Sequence, residues 1–526
     1  MNIAEVLQQQ AEQRASQTAI IDGVMGQERQ TTYLQINRQS AQLAALLKSY
    51  GLQQGDTVLI FQPISAELYV ILVAIFRLGL VAMFVDPSVG LDHLERCCQR
   101  VTPKAFIGSA KAHLLRFASR SLRAIPIKIG VGRWLPLTRS FTSFFKCKPL
   151  VEIVKADEDL PALITFTSGS TGLPKAAVRT HGFLLAQHKV LAENIDHQAG
   201  QVDVSTLPIF VLANLASGIT SLLCDVDLRF PGKVDASIVL QQSKSFAATR
   251  CAASPAFYEQ LVEYCLKNKI RTLNFKRIDT GGAPVFPGLL SQLKHLTPNG
   301  EVVAVYGSTE AEPIAHIHWQ DISEDDMSNM KKGRGLLAGK PVQQIDVKVI
   351  KDMTSTPIEP MSQAQFQLLN LAENEIGEIV VAGDHVLPGY LNGIGNEETK
   401  FSVDGRPWHR TGDAGYFDHQ GRLWLMGRCS ARISDNDGEL YPFTVETVVR
   451  CDPSVRRCAM IAYRGERILV IEMQENANLN TESIKENLIW ANIHKVLTVP
   501  HVPVDKRHNA KIDYPELNKL LARLCK

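Results

Sequence analysis

The sequence has no hydrophobic run long enough to cross a bilayer. Its most apolar window, Val70–Val85, is shorter than the ~18–20 residues of a membrane helix and carries Arg77 near its middle. We therefore expect a buried core helix followed by a strand at this place. Residues 1–17 are polar and helical in pattern, unlike a secretory signal peptide. Both observations predict a cytoplasmic protein.

The sequence also lacks a cysteine pattern for metal or redox chemistry. None of its ten cysteines forms a C-x-x-C pair, which is the spacing of zinc sites and thioredoxin-like sites. A chain of 526 residues can bury several cores without covalent staples. We therefore expect reduced thiols.

Neither sign of charge dominates the chain. The sequence has 56 Lys and Arg against 54 Asp and Glu, and this balance argues against a dedicated nucleic-acid-binding protein. One stretch departs from it, because residues 99–151 contain no Asp or Glu but eleven Lys or Arg, interleaved with aromatic residues. The stretch has two interpretations: a solvated surface helix and loop, or a patch for a membrane surface or acidic partner.

Strand and helix patterns alternate along the first two thirds of the chain. Thr57–Phe61 is typical of a strand, Ala66–Gly79 of a helix, and Val81–Val85 of the next strand. Such a βαβ rhythm predicts an α/β fold with mostly parallel sheets. In such sheets, ligands bind at the carboxyl ends of the strands.

The pattern changes after about residue 340. Antiparallel strands are predicted there, and the polar stretch Asp352–Asn374 is predicted to be a surface loop. We divide the chain into a large domain of several subdomains, residues 1–428, and a small mobile α+β lid, residues 429–526. The second piece has the size of a small domain.

A polar loop follows the apolar strand Leu163–Phe166. Glycines there can bring backbone N–H groups onto an anion, while hydroxyls and a lysine add donors and charge. The alternative is an ordinary polar turn. The usual P-loop does not fit, because Pro174 replaces its second glycine and Ala176 follows Lys175 where Ser or Thr should bind magnesium.

The whole string from Leu163 to His181 resembles the signature loop of the adenylate-forming superfamily, which contains acyl-CoA synthetases, peptide-synthetase adenylation domains and luciferases. Further motifs of that family follow in order across nearly the whole chain. They are Gly281-Gly282-Ala283-Pro284, Val305-Tyr306-Gly307-Ser308-Thr309-Glu310, Trp408-His409-Arg410-Thr411-Gly412-Asp413, Gly427-Arg428 and a lysine near the C-terminus, Lys511.

The resemblance implies an ATP- and Mg²⁺-dependent enzyme. The implied ATP- and AMP-binding residues are Thr167, Ser168, Gly169, Ser170, Thr171, Gly172, Lys175, Gly282, Ala283, Pro284, Tyr306, Gly307, Asp413 and Arg428. Of these, the loop hydroxyls and Lys175 would hold the β- and γ-phosphates. Tyr306 would stack on adenine, and Asp413 would accept the ribose hydroxyls.

The same resemblance implies the catalytic groups. Thr309 would contact the α-phosphate, Glu310 would ligate Mg²⁺, and Lys511 would bridge the reacting carboxylate and the α-phosphate. Because Lys511 lies in the predicted lid, the lid must dock for the first reaction. The expected pivot is Ser430, where the family usually has Asp or Lys.

The sequence around Lys511, Arg507-His508-Asn509-Ala510-Lys511-Ile512, resembles the olefin-biosynthesis β-lactone synthetases within this superfamily. Those enzymes activate a long-chain β-hydroxy acid and let its hydroxyl expel AMP. The apolar run Leu207–Leu215 either lines an acyl tunnel or forms a core helix. The remaining alternatives are a fatty acyl-CoA ligase, which would use CoA, a carrier-protein ligase, and a non-catalytic nucleotide-binding scaffold.

Overall fold

The computed structural model forms two compact units. It describes residues 1–86, 90–133, 135–168, 174–354, 356–474, 484, 486–505 and 511–525. The first unit comprises residues 1–226, 238–252 and 387–396, and the second comprises residues 227–237, 253–386 and 397–526. In these ranges, every helix is too short or too polar to traverse a bilayer.

The first unit is built on two sheets and the helices that cover them. Its strands are β1 (Thr18–Asp22), β2 (Arg29–Thr32), β3 (Thr57–Phe61), β4 (Val81–Phe84), β5 (Ala105–Ser109), β6 (Ile127–Val131), β7 (Arg139–Ser140), β8 (Pro161–Ser168), β9 (Pro174–Thr180), β10 (Val202–Ser205), β11 (Thr220–Leu222) and β12 (Arg250–Ala253). Its helices are α1 (Ile3–Gln13), α2 (Tyr33–Ser49), α3 (Ala66–Arg77), α4 (Leu91–Arg100), α5 (Ala110–Leu114), α6 (Arg120–Ala124), α7 (His181–Asn194), α8 (Pro208–Ser217) and α9 (Ala236–Ser245).

One of these sheets carries the predicted phosphate loop. Its strand order is β7-β6-β5-β3-β4-β8-β9. Strands β3, β4, β5, β6 and β8 run parallel, and β9 returns antiparallel to β8. The carboxyl ends of β5, β6 and β8 therefore lie at one edge of the sheet. The other sheet has the order β2-β1-β11-β10-β12.

Helix α3 confirms the expected core helix, and its arginine is buried with it. Arg77 is 2% exposed, yet its guanidinium donates to Asn37 Oδ1 at 2.9 Å and to the carbonyl of Leu150 at 3.3 Å. These acceptors reduce the cost of burying a charge, because a buried cation needs partners to replace water.

The second unit combines a mixed sheet with the smaller sheets of the C-terminal segment, residues 429–526. Its strands are β13 (Arg277–Gly281), β14 (Glu301–Ser308), β15 (Ala311–His318), β16 (Leu336–Pro341), β17 (Asp346–Ile350), β18 (Gly377–Ala382), β19 (Lys400–Val403), β20 (Arg406–Phe417), β21 (Leu423–Arg428), β22 (Ile433–Asp435), β23 (Gly438–Leu440), β24 (Val455–Tyr463), β25 (Glu466–Met473) and β26 (Lys495–Val499). Its helices are α10 (Pro255–Lys267), α11 (Pro287–Leu296), α12 (Glu324–Lys331), α13 (Gln363–Leu369), α14 (Asn396–Thr399), α15 (Pro442–Val449) and α16 (Tyr514–Leu524).

The large sheet of this unit runs β17-β18-β20-β21-β16-β15-β14-β13. The C-terminal segment has apolar clusters of its own on both faces of the β24-β25-β26 sheet, one including Val445 and Leu469 and the other Val470 and Leu517. A separate core is what an independent lid needs, and the boundary between residues 428 and 429 stays a prediction.

The predicted loop Asp352–Asn374 is wrong in its middle, where α13 forms. Ser362 accepts from the Gln365 backbone N–H, while the Gln365 side chain accepts from the Ser362 N–H. This reciprocal capping stabilises the first turn of a helix. Phe366 then packs against Phe401 and Trp408, which supplies the apolar contact that a short helix needs.

Candidate active site

The site in the second unit begins at the turn after β13. Strands β13 and β14 are parallel neighbours, so the Gly281–Pro284 turn and Tyr306 lie at the same edge of the sheet. Gly282 has a φ of 80°, which favours glycine. A Cβ on Gly281 would lie 2.6 Å from the Val305 carbonyl oxygen. The backbone can therefore turn tightly here only with small residues.

A tyrosine, a carboxylate and a guanidinium are joined beside this turn. The Tyr306 hydroxyl donates to Asp413 Oδ2 at 2.8 Å, and Arg428 Nε lies 3.2 Å from Asp413 Oδ1. Asp413 and Arg428 face each other across the β20–β21 pair. Thr411 fixes both, because its Oγ1 accepts from the Asp413 N–H and its carbonyl accepts from Arg428 Nη1.

These contacts change the acidity of the groups involved. Burial and the neighbouring Asp413 carboxylate raise the pKa of the Tyr306 hydroxyl well above its usual value. The same carboxylate raises the pKa of Arg428. Tyr306 is therefore a neutral donor and Arg428 a fixed cation over the whole physiological range.

Lys511 is held by the backbone around it. Its N–H donates to Asp505 Oδ1 at 3.0 Å, while its carbonyl accepts from the Asp505 N–H at 2.8 Å. Val504 and Ile512 form an antiparallel bridge next to this pair. Loss of water contact, followed by the charge of Arg428, lowers the pKa of the Lys511 ammonium from its ordinary value.

The sequence-predicted adenine, ribose and catalytic lysine residues line one cavity of about 300 Å³. This volume belongs to the second unit alone, and its wall includes residues of both the β13–β21 sheet and the C-terminal segment. The predicted residues on the wall are Gly282, Ala283, Pro284, Tyr306, Gly307, Asp413, Arg428 and Lys511.

The sequence analysis missed a charged group of residues on the same wall. Arg450 Nη2 lies 2.8 Å from Glu259 Oε1, and its guanidinium lies 5.1 Å from the centre of the Phe286 ring. Glu446, also on the wall, is 3% exposed, and burial raises the pKa of its carboxyl to about 7. The sequence could have predicted this burial, because Glu446 lies among the apolar residues of α15.

Thr309 and Glu310 occupy the turn between β14 and β15. The Ser308 hydroxyl oxygen accepts from the backbone N–H groups of Glu310 and Ala311, each at 3.2 Å. The Glu310 carboxylate acts electrostatically on both Arg428 and Lys511. In the described part of the chain, no three His, Cys, Asp or Glu side chains form a metal cage. A lone carboxylate still fits Mg²⁺, which takes one or two carboxylates together with phosphates and water.

The predicted phosphate loop belongs to the first unit. Residues 169–172 and the side chains of Thr167 and Ser168 lie outside what the structure describes. Lys175 is buried, with its ammonium 5.7 Å from the centre of the Tyr390 ring, within cation–π range. A Cβ on Gly395 would lie 2.7 Å from the Lys175 side chain, so this glycine makes room for the lysine stem.

An arginine that the sequence analysis did not single out binds the start of strand β9, which follows the loop. Arg100 Nη1 donates to the Pro174 carbonyl and Nη2 to the Leu391 carbonyl, both at 2.9 Å. The start of β9 is thereby tied to the 387–396 segment. Two charge-assisted hydrogen bonds to backbone oxygens are stronger than neutral ones, so Arg100 fixes the first residue of β9.

Two other predicted features lie away from these groups. The run Leu207–Leu215 forms most of α8, and Val211 and Leu215 are buried in the main apolar cluster of the first unit. This packing favours the core interpretation of that run. Ser430 is exposed in the 3₁₀ turn Cys429–Ala431 that follows β21.

Comparison with known proteins identifies the family. The model of the AMP-binding enzyme family matches residues 7–391. An olefin β-lactone synthetase from Stenotrophomonas maltophilia (strain K279a) is 31% identical over 546 positions, covering 98% of this chain and 97% of the relative.

Two solved structures share the fold. The anthranilate CoA ligase AuaEII in complex with anthranoyl-AMP has a TM-score of 0.84 at 18% identity, with 100% of this chain and 98% of that chain covered. ATP-bound MatB from Rhodopseudomonas palustris has a TM-score of 0.80 at 19% identity, with 100% of both chains covered. With the family match over most of its length and a full-length relative at 31% identity, the chain belongs to the AMP-binding enzymes and is an adenylate-forming ligase.

Proposed function

We propose that this enzyme uses ATP to convert a long-chain β-hydroxy fatty acid to its acyl-AMP, and then closes that intermediate to a β-lactone with release of AMP. The observation that carries the first step is the convergence of Asp413, Arg428 and Lys511 on the cavity beside the Gly281–Pro284 turn. The olefin β-lactone synthetase relative supports the second step.

In the first step, a carboxylate oxygen of the acid attacks the α-phosphorus of ATP. The bond from that phosphorus to the bridging oxygen breaks, and pyrophosphate leaves. Catalysis here is mainly positioning and charge stabilisation. Lys511 supplies a partly desolvated cation for the reacting oxygens, and the Asp505 contacts fix its backbone.

The nucleotide is held by the rest of the site. Asp413 accepts hydrogen bonds from the ribose hydroxyls. Its carboxylate is oriented for this role by Tyr306 and Arg428, which each contact one of its oxygens. Tyr306 and the Gly282–Pro284 backbone flank the adenine, and Thr309 contacts the α-phosphate. Glu310 would hold Mg²⁺, which neutralises phosphate charge when it is bound.

The β- and γ-phosphates are bound by the loop of the first unit. We assign them to the Thr167–Gly172 string and to Lys175, because hydroxyls, glycine backbone N–H groups and an ammonium are the donors that a polyphosphate needs. Arg100 acts here as a positioning residue, since its guanidinium donates to the backbone carbonyls of Pro174 and Leu391.

In the second step, the β-hydroxyl oxygen attacks the acyl carbonyl carbon. The carbon–oxygen bond to AMP breaks, and the hydroxyl proton is lost. No thiol acceptor is needed, because the nucleophile is carried by the substrate itself. An intramolecular nucleophile of good geometry can act like an acceptor present at ~10⁵ M or more.

The rival second step is transfer of the acyl group to CoA or to a carrier thiol. The fold relative AuaEII is a CoA ligase, so the fold supports that reaction as well. The sequence Arg507–Ile512 around Lys511 favours the lactone assignment. We also propose that the enzyme is cytoplasmic.

Pyrophosphate exchange and product analysis test the two steps separately. Exchange of labelled pyrophosphate into ATP, measured over β-hydroxy, plain and amino acids, should be fastest with long-chain acids. Mass spectrometry of products formed with and without CoA should show a β-lactone and no thioester. Exchange that prefers amino acids would contradict the first step, and a CoA thioester as main product would contradict the second.

A further inference from the structure

One surface of the first unit exposes large apolar side chains among positively charged ones. Leu114, Phe117 and Leu137 are 54%, 75% and 90% exposed. We call this surface the basic–apolar face. It also carries exposed cations on α5, on α6 and in the loop after β6, namely Lys111, Arg120, Arg123 and Arg133.

A buried arginine holds the two apolar parts of this face together. Arg116 is buried, with 7% of the residue exposed. It donates to the carbonyl of Pro136 at 3.1 Å and to that of Leu137 at 3.3 Å, while its Nε donates to the carbonyl of His113 at 2.9 Å. The 3₁₀ turn Leu115–Phe117 is thus fixed against the 135–138 loop.

The backbone of Leu137 is itself unusual. Its φ is +60°, a left-handed conformation that costs a branched residue more than it costs Gly or Asn. The loop therefore accepts backbone strain while its leucine side chain stays in water. Such an arrangement has no benefit for the core of this unit, and it suits a side chain that is buried by something else.

The acidic groups that precede this face most closely in the sequence lie on α4. Residues 99–151 contain no Asp or Glu. On the neighbouring helix α4, Glu95 accepts from the hydroxyls of Ser119 and Ser121, and Asp92 is exposed beside Arg96. The field over the face is therefore positive, which attracts anionic surfaces.

We propose that the basic–apolar face docks on an anionic lipid membrane, with Phe117 and Leu137 inserted among the lipids and the surrounding cations at the headgroups. Exposed aromatic and aliphatic side chains within a ring of cations are typical of interfacial binding. An acidic protein would use the charges but would not require both projecting apolar residues.

The position of the face in the fold is consistent with this role. Helix α5 follows β5 directly, and residues 132–133 and 135–138 come after β6. Strand β8, which leads into the predicted phosphate loop, runs parallel to both in the same sheet. The membrane contact thus lies at the sheet edge where the loop begins. The geometry stands whichever acid the enzyme activates.

Vesicle co-sedimentation of the full chain tests the proposal. Vesicles of phosphatidylcholine with about one third phosphatidylglycerol should bind the protein, and pure phosphatidylcholine should bind it far more weakly. Arg120→Gln with Arg123→Gln and Arg133→Gln should lower binding ~100-fold, since each charge near the surface contributes a factor of ~5. Arg116 is left unchanged because it is buried.

A second variant separates insertion from simple charge attraction. Phe117→Ser with Leu137→Asn removes both apolar groups, and Asn tolerates the left-handed backbone. We expect ~100-fold weaker binding, because burial of each such side chain contributes on the order of tenfold. Turnover of a short, soluble acid should be unchanged in both variants.

Matched substitutions elsewhere complete the test. Leu266 and Leu368 are also exposed, and Lys267, Arg271 and Lys276 are exposed cations of the second unit. Leu266→Ser with Leu368→Ser, and the three cations changed to Gln, should leave vesicle binding intact. Binding that ignores the Phe117 and Leu137 changes would overturn the proposal and indicate an acidic partner. Failure to bind anionic vesicles would overturn it outright.

Discussion

The cavity beside the Gly281–Pro284 turn and the basic–apolar face use the same types of charged residue in opposite ways. In the cavity, Asp413 has Tyr306 and Arg428 on its two oxygens, and Lys511 is partly desolvated. On the face, Arg120 and Arg123 extend into water. Asp413 and Lys511 are therefore screened less by salt than the exposed charges of the face, which are screened over ~8–10 Å.

This difference in exposure determines how strongly a single charged residue can affect reaction or binding. A preorganised charge in a desolvated site acts strongly on a reacting group. An exposed charge contributes little by itself and acts through its number. We therefore expect single substitutions to have large effects in the cavity and small effects on the face.

Lys511→Ala should give the largest effect. Loss of one preorganised charge-stabilising group should slow adenylation ~10²–10³-fold, measured by pyrophosphate exchange. Conversion of supplied acyl-AMP should change much less. Lys519→Ala, an exposed lysine paired with Glu516 on α16, is the matched control. An equal loss in both half-reactions would contradict the role given to Lys511.

Substitution of Glu446, a buried carboxyl on the cavity wall, tests how strongly burial acts on a single charge, through the pH dependence of stability. Its folded pKa, raised by burial to about 7 from 4.5, means that the folded chain keeps a proton that the unfolded chain loses between these pH values. Stability should therefore fall as pH rises through that window. Glu446→Gln should be more stable than the parent at pH 8, by about 3 kcal/mol, and should approach it toward pH 4.5.

Urea unfolding at pH 8 and pH 5 measures this difference. The substitution keeps an acceptor for the Met460 N–H, which donates to Glu446 Oε1 at 3.0 Å. Glu486→Gln, on an exposed residue of the same segment, should show no pH-dependent change. A Glu446→Gln chain that is less stable than its parent at pH 8 would show that the buried carboxylate has a stabilising partner.

Asp413→Asn should weaken ATP binding ~10–100-fold, because hydrogen bonds to a charged group contribute about 1.5–3 kcal/mol. Isothermal titration with ATP measures this directly. Asp384→Asn, an exposed aspartate of the same unit, provides the comparison. ATP binding that is unaffected by Asp413→Asn would remove the ribose assignment.

Tyr306→Phe should have the smallest effect in the cavity. The ring remains beside the Gly281–Pro284 turn, and only the hydrogen bond to Asp413 is lost. A net hydrogen bond contributes about 0.5–1.5 kcal/mol, so the KM for ATP should rise ~2–10-fold. A loss of ATP affinity as large as that of Asp413→Asn would mean that the hydroxyl of Tyr306, and not its ring, makes the main contribution to ATP binding.

Local patterns predicted much of the fold. The strand Thr57–Phe61 was predicted with the bounds that the structure has, because its β-branched and apolar residues end at a polar one. The α13 helix was missed although Ser362 and Gln365 have the capping-box spacing. The polar composition of that stretch obscured a signal that depends on two positions.

Motifs predicted which residues line the cavity, but not how they are held. The pairing of Asp505 with Lys511 and the contact between Glu259 and Arg450 join residues that are distant in sequence or have no motif. Arg116 shows the same limit. It belongs to a basic stretch whose cations both sequence interpretations placed at the surface, yet its burial depends on carbonyls about 20 residues away.

The most direct test of the lactone assignment is AMP release without CoA. A β-hydroxy fatty acid should give continuous AMP release, because its hydroxyl expels the nucleotide. The plain acid of equal length should give one burst of pyrophosphate, roughly one per active enzyme, and then stall on tightly held acyl-AMP. Fast turnover of the plain acid that requires CoA, with no advantage from the hydroxyl, would contradict lactone closure.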